Sequence, residues 1–308
     1  MDFGVHLPLM QFGEEALSLE RLAGAVDAAR ECGFAAISAN DHFIFQTPWL
    51  DGPTALASMI ERSGEMTLAT TLSLAVLRGA VPLAKAFAAL DILSGGRLMA
   101  GVGPGSSKRD YDLLGVPFDE RWKRFDEALA ALRALLARDP LPNDVALTPG
   151  PVQPRGIPLW IGSWGSRAGL ARVARAGDGW LASAYNTTPE RFSAARADLT
   201  RELQDQGRDG SNFPNALATM WTWIAKDRAE GDRVLAETLA PLLNRDPNEL
   251  RGQVCVGTVE HCAELLSRYA EAGCQRVYVW PLGDERRQLE MIANEVAPKL
   301  SAKLGHRV

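Results

Sequence analysis

The order of apolar segments constrains this chain more than any other feature. Short apolar runs at 3–7, 34–39, 66–72, 97–102, 158–162, 178–182, 216–225 and 275–280 alternate with longer amphipathic segments. Those segments cover 19–32, 54–61, 83–93, 119–137, 166–176, 189–206, 227–243, 258–272 and 284–295. A brief apolar run bounded by Gly or Pro reads as a strand; apolar spacing of three or four reads as a helix. Leu22, Val26 and Ala29 before Gly33 show the helical spacing, as do Phe125, Leu129, Leu132 and Leu136. Eight strands, each followed by helix, predict an α/β fold, a (β/α)₈ TIM barrel over residues 1–308. A doubly wound sheet is the rival. The count of eight disfavours it, as does the lack of a G-x-G-x-x-G after the first strand. The Pro- and Gly-rich stretch 139–157 reads as a loop, and 243–257 as an insertion between strands seven and eight.

Composition narrows the function classes. The 308 residues are 46% hydrophobic with a net charge of −5. That is ample for a large core, and no clustered basic face points to nucleic acid or a membrane surface. No apolar run approaches the roughly 20 residues that span a bilayer. The N-terminus lacks a basic, signal-like region, so a cytoplasmic location is expected. Cys32, Cys255, Cys262 and Cys274 form no C-x-x-C pair and read as reduced packing residues.

Barrel enzymes place their chemistry at the carboxyl ends of strands. Strand two ends at Asn40-Asp41-His42, and a histidine there can move a proton near neutral pH. The plainer reading is a capped loop with a packed ring. Two Gly/Ser loops lead toward helices: Gly101 to Ser107, with Gly103, Gly105 and Ser106, and Gly162-Ser163-Trp164-Gly165-Ser166. Small residues and a helix N-terminus suit a phosphate, so a phosphorylated cofactor is expected. Either loop could also be a tight turn. His6 reads equally well as a core residue, and His261 and His306 as structural or solvated. No H-x-H or H-E-x-x-H supports a metal, and no strand-end lysine except Lys226 suits a Schiff base. Trp164, Trp221, Trp223 and Trp280, with Phe43, Phe45 and Trp49, suggest a mouth for a flat ring and an apolar substrate.

These residues also resemble a known family along nearly the whole chain. The matching stretches include 3–8, Asp41-His42-Phe43, Thr47 to Asp51, 83–86, 90–98, 101–105, 158–162, 176–180, 256–258 and 269–273. In that order they resemble the luciferase-like oxidoreductases, closest to the branch that uses the deazaflavin coenzyme F420. The resemblance implies that Asp41 and His42 contact the cofactor ring, with His42 the catalytic candidate. It implies an unusual cis peptide at Thr71-Leu72 supporting the ring, and phosphate binding at Gly162 to Ser166. Relatives in the sugar-phosphate branch carry a glutamate where Ser106 stands and a tryptophan where Gln46 stands, so that activity is not expected here. The implied function is hydride transfer between F420 and a small organic substrate. The alternatives are an FMN-dependent monooxygenase and a non-catalytic flavin-binding member. The relatives are often homodimers.

Overall fold

A computed structural model of the chain describes residues 1–13, 15–137 and 146–300. Its strands are β1 (Asp2–His6), β2 (Ala36–Ala39), β3 (Thr67–Thr70), β4 (Ser73–Leu74) and β5 (Leu98–Gly103), followed by β6 (Leu159–Gly162), β7 (Gly179–Ser183), β8 (Asn215–Ile224), β9 (Cys255–Gly257) and β10 (Arg276–Pro281). All pair in parallel. β1, β2, β3, β5, β6, β7, β8 and β10 follow one another, and β10 pairs back to β1, which closes an eight-stranded barrel. The short β4 adds to the end of β5, and β9 to the end of β8.

The helices are α1 (Leu19–Glu31), α2 (Gly52–Ser58), α3 (Ala75–Arg78), α4 (Ala80–Leu93), α5 (Lys108–Leu113), α6 (Arg121–Leu136) and α7 (Arg167–Ala176). They continue with α8 (Pro189–Asp205), α9 (Arg228–Val234), α10 (Ala240–Leu243), α11 (Pro247–Arg251), α12 (Val259–Glu271) and α13 (Glu285–Met291). Side chains of Ser18, Asp51, Ser107, Ser166, Thr188 and Thr258 accept a first-turn N–H and fix where α1, α2, α5, α7, α8 and α12 begin. Between strands and helices lies the main core, where Trp180 stacks on Phe192 at 4.8 Å. Among the described residues, no helix is long and apolar enough to cross a membrane. The four cysteines are free thiols.

Local departures from the sequence pattern have physical causes. The run 66–72 breaks after Thr70: the Thr71–Leu72 peptide is cis, and the ladder resumes at β4. The helical stretch 227–243 is α9, a π-helical turn (Leu235–Leu239) and α10. Pro241 has no N–H to donate one turn back, which favours the irregularity. The insertion 243–257 contains α11 and β9. Residues 139–145 of the expected loop, and His306, lie outside the described residues.

Inside the barrel, the period-two alternation of strands sets two layers. The lower layer packs Ala36, Ala69, Met99, Leu181, Ala216 and Tyr278 with Trp160. Two residues further along come Ser38, Thr71, Gly101, Gly162, Ser183 and Trp280, with His6 of β1 opposite Ser38. β8 would present Trp221 outward if the alternation continued. A register shift opposite Tyr278, with Thr219 at φ 55°, reverses it, and Trp221 stacks on Trp280 at 3.9 Å. On its other face Trp280 stacks on His6 at 3.5 Å.

Two glycines give opposite expectations for alanine. A Cβ at Gly101 would lie 2.0 Å from the Thr70 carbonyl oxygen and 2.5 Å from a Leu181 methyl, whereas one at Gly24, in α1, meets nothing within 4 Å. Gly101→Ala should destabilise the fold by about 3 kcal/mol, and Gly24→Ala should stabilise it by about 0.5–1 kcal/mol. Urea unfolding of both variants checks the pair.

His6 sets a second expectation. Its burial outweighs the Nδ1 hydrogen bond to the Leu7 carbonyl (2.7 Å) and lowers its pKa from 6.5 to about 3. The folded state therefore keeps a neutral imidazole that the unfolded chain would protonate. Stability is fully present above pH 6.5 and declines toward pH 3, by about 1.4 kcal/mol per pH unit from this group. His6→Phe should flatten the loss between pH 6 and 4 relative to wild type in urea melts. Parallel pH profiles would contradict the assignment.

Candidate active site

The carboxyl ends of the strands surround a cleft of about 400 Å³. Four of the segments that line it, separated in sequence, are each held by identifiable contacts.

The first is Asn40-Asp41-His42, beyond β2. The backbone here is tied to the cis turn, with Thr71 N–H donating to Ala39 at 2.7 Å and Asp41 N–H to Leu72 at 3.1 Å. Arg78, at the end of α3, grips the Asp41 carboxylate with two hydrogen bonds of 2.7 Å, and Leu74 N–H donates to the same group at 3.2 Å. The guanidinium also pairs with Asp51, the cap of α2. Burial alone would lower the Arg78 pKa, but the two carboxylates raise it instead. Asp41 thus borders the cleft with its charge already paired.

His42 projects from this turn. Its Nδ1 lies 3.0 Å from Oδ2 of Asp110, on α5. The other oxygen of Asp110 accepts the N–H groups of Phe43 (3.1 Å) and Ile44 (2.7 Å). Burial pushes the Asp110 carboxyl upward, yet the bonds from His42 and Ile44 outweigh it and hold the group below its usual value. Phe45 and Trp49 pack on the imidazole with centroids at 4.9 and 4.7 Å.

The second segment is Thr71-Leu72. The Leu72 side chain occupies a trough that only glycine leaves open. A Cβ at Gly103 would sit 2.6 Å from Leu72 Cδ2, and one at Gly162 would sit 2.4 Å from it. The third is the loop after β5, where Pro104, Gly105 and Ser106 border the cleft. Tyr111 is fully buried and donates its hydroxyl to the Pro104 carbonyl at 2.5 Å. Gly105 needs its glycine, with φ 84°.

The fourth is Gly162 to Ser166. Ser163 Oγ accepts Gly165 N–H and Ser166 Oγ accepts Gly169 N–H, both at 3.2 Å. The loop thereby leads directly into α7, whose first-turn N–H groups have no partner within the helix. The rim carries Phe118, Arg121, Trp122, Trp164 and Tyr185. Trp122 and Trp164 are 45% and 58% exposed, and the Arg121 guanidinium lies 3.9 Å over the Phe118 ring. Ser183 and Thr219 meet at 2.9 Å on the side formed by β7 and β8.

Asp41, His42, Thr71, Leu72, Gly105, Ser106, Gly162, Ser163, Trp164 and Ser166 all border this one cleft. Gly103 lies beneath Leu72, and Gly165 shapes its loop at φ 88°. Of the strand-end aromatics, Trp221 and Trp280 stack inside the barrel, while the Trp223 indole bonds to Glu230 at 3.1 Å, away from the cleft. Gln46 donates to the Leu242 carbonyl at 3.0 Å. Asp110, Arg78 and Arg121 escaped the residue pattern. For Asp110 a signal existed: Ser107-Lys108-Arg109-Asp110 is an S-x-x-D helix start. Arg78 carries no such mark, since Asp41 lies 37 residues away, and Arg121 has its partner Phe118 only three residues back. Among the described residues, no group of three or more His, Cys, Asp or Glu is placed to hold a metal ion.

The sequence profile of the family described as luciferase-like monooxygenase matches residues 1–249. An uncharacterized protein of Mycobacterium tuberculosis is 33% identical over 175 residues, 53% of this chain and 58% of its own length. The chain thus spans little more than half the length of that relative. The F420-dependent glucose-6-phosphate dehydrogenase of Beutenbergia cavernae is 28% identical over 318 residues, covering 89% of this chain and 91% of that protein. Two solved structures share the fold. One is monooxygenase RslO1 from Streptomyces bottropensis, with TM-score 0.82, 19% identity and 97% and 99% coverage of this chain and that one. The other is an F420-dependent secondary alcohol dehydrogenase in complex with an F420–acetone adduct, with TM-score 0.83, 16% identity and 97% and 98% coverage. The barrel, its cleft and a profile match over most of the sequence make this chain a member of the luciferase-like monooxygenase family.

Proposed function

We propose that the protein transfers hydride between coenzyme F420 and a small uncharged organic substrate. One observation carries the proposal: a single cleft brings a histidine held against a buried carboxylate to face a Gly/Ser loop that opens a helix. The length-spanning likeness to an F420-dependent dehydrogenase supports the choice of cofactor.

The residues present fit the group. Thr71 borders the cleft, and its Oγ1 is buried without a hydrogen-bond partner in the structure. Such atoms are costly unless something pairs with them, and the polar edge of a deazaflavin ring offers both donors and acceptors. Leu72 would support the ring face. Ser163, Gly165, Ser166 and the start of α7 would hold the phosphate. Asp41, with its turn, would border the ring, and Gly105 and Ser106 would close the adjacent wall. When bound, the deazaflavin supplies hydride transfer without ready activation of oxygen.

The chain's own part is to orient, to exclude water and to move a proton. His42 borders the cleft and would exchange a proton with the substrate oxygen. The cleft is bordered by the uncharged rings of Phe118, Trp122, Trp164 and Tyr185, which suits an apolar substrate. The carboxylate of Asp41 is neutralised by Arg78, so it would not repel the cofactor phosphate.

FMN with oxygen is the second reading, because the family profile is that of a monooxygenase and the Gly162 to Ser166 loop suits either phosphate. Titration of the purified protein with each cofactor, followed by cofactor fluorescence, separates the two. Saturable binding of F420 is expected. Tight binding of FMN with none of F420 would overturn the proposal. His42→Ala should retain F420 affinity within about threefold and lower turnover by about 100-fold or more. Full turnover in that variant would remove His42 from the chemistry. F420 binding without turnover of any alcohol or ketone by the wild type would favour a non-catalytic binding protein.

A further inference from the structure

The Asp110–His42 contact decides which nitrogen of His42 is available for chemistry. We infer that Asp110 is a positioning residue that fixes the Nδ1–H tautomer of His42, leaving Nε2 as the proton-accepting atom toward the cleft. The inference rests on the hydride-transfer reading for its use, but its geometry stands apart from any cofactor.

The hydrogen-bond inventory around Asp110 leaves one solution. Asp110 is 1% exposed and sits where α5 meets the turn after β2. Oδ1 is committed to two backbone donors, Phe43 N–H and Ile44 N–H. Oδ2 faces His42 Nδ1 at 3.0 Å. An ionised carboxylate only accepts, so Nδ1 must carry the hydrogen. In the neutral ring Nε2 then holds the lone pair. Phe45 and Trp49 pack on the ring, which disfavours a flip that would exchange the two nitrogens. The remaining charged groups nearby do not compete. Asp41 and Asp51 are taken by Arg78, and Arg121 lies over Phe118 at the rim.

This assignment gives the proton step a direction. During alcohol oxidation Nε2 would take the substrate's hydroxyl proton, and F420, when bound, would supply the acceptor for the hydride lost from the same carbon, which leaves a carbonyl. The imidazolium formed is paired with the Asp110 carboxylate at the opposite nitrogen. In reduction the same proton returns to the carbonyl oxygen. Orientation of a catalytic imidazole by a buried carboxylate is a general device, and neutralising that carboxylate as an amide can install the wrong tautomer.

The test uses the full chain labelled with ¹⁵N at histidine. The sequence has four histidines, and comparison with His42→Gln assigns the His42 signals. Near pH 8, wild-type His42 should show the Nδ1–H pattern. An Nε2–H pattern would overturn the inference. Asp110→Asn sharpens the test. Its single carbonyl oxygen must still serve Phe43 and Ile44, so its NH₂ group turns toward His42 and should convert the ring to the Nε2–H form. Unchanged Nδ1–H signals in that variant would overturn the role of Asp110. F420 affinity of Asp110→Asn should stay within about threefold of wild type. Its loss together with the tautomer change would mean that Asp110 builds the cleft rather than positions His42. If Asp110→Asn fails to fold, the wild-type spectrum alone decides. If wild type shows the Nδ1–H form yet binds no F420, the cofactor reading fails and the dyad survives.

Discussion

The ion pair between Asp41 and Arg78 is the contact on which the cleft depends. It joins the exit of β2 to the segment after β3 through two short hydrogen bonds, and Arg78 reaches on to Asp51 at the start of α2. Both partners lie largely out of solvent, with side-chain exposures of 20% for Arg78 and 2% for Asp41. Removing Arg78 would strand the Asp41 charge in a poorly solvated place, which is costlier than the pair itself is stabilising. The turn it fixes presents His42 to the cleft and holds Phe43 and Ile44 where their N–H groups meet Asp110. Arg78 also lies 5.1 Å from the Phe43 ring centre, so charge and packing act on the same turn.

Around that contact the barrel departs from regular geometry where the cleft needs it. The register shift in β8 turns Trp221 inward, and Thr219 occupies the left-handed region, which a β-branched residue rarely adopts and which costs on the order of 1–3 kcal/mol. Thr219 borders the cleft and bonds to Ser183. Leu72 fits only because Gly103 and Gly162 lack side chains. These irregularities cluster at the carboxyl ends of the strands, while the lower barrel layer of Ala36, Ala69, Ala216 and Tyr278 follows plain alternation.

Much of the fold was legible because it rests on local patterns. Short apolar runs alternating with amphipathic segments predict both the barrel and the order of its elements. The Asp41-His42 turn and the two Gly/Ser loops could be placed at one end of the barrel by strand direction alone. What stayed hidden depends on contacts between remote positions. Arg78 has no meaning until Asp41, 37 residues earlier, is folded beside it. Asp110 was accessible through its helix-start pattern, but its partner His42 lies 68 residues away. The inward turn of Trp221 depends on a register shift that periodicity cannot express. His6 was ambiguous from sequence, and the structure places it in the core against Trp280.

A crystal structure of the protein with bound F420 tests the central claim most directly. The account predicts the deazaflavin ring against Leu72 within the cleft, its phosphate at Gly162 to Ser166, and Nε2 of His42 facing the reacting edge while Nδ1 stays on Asp110. A ring lying outside the cleft, a phosphate held elsewhere, or His42 turned away from the ring would contradict it.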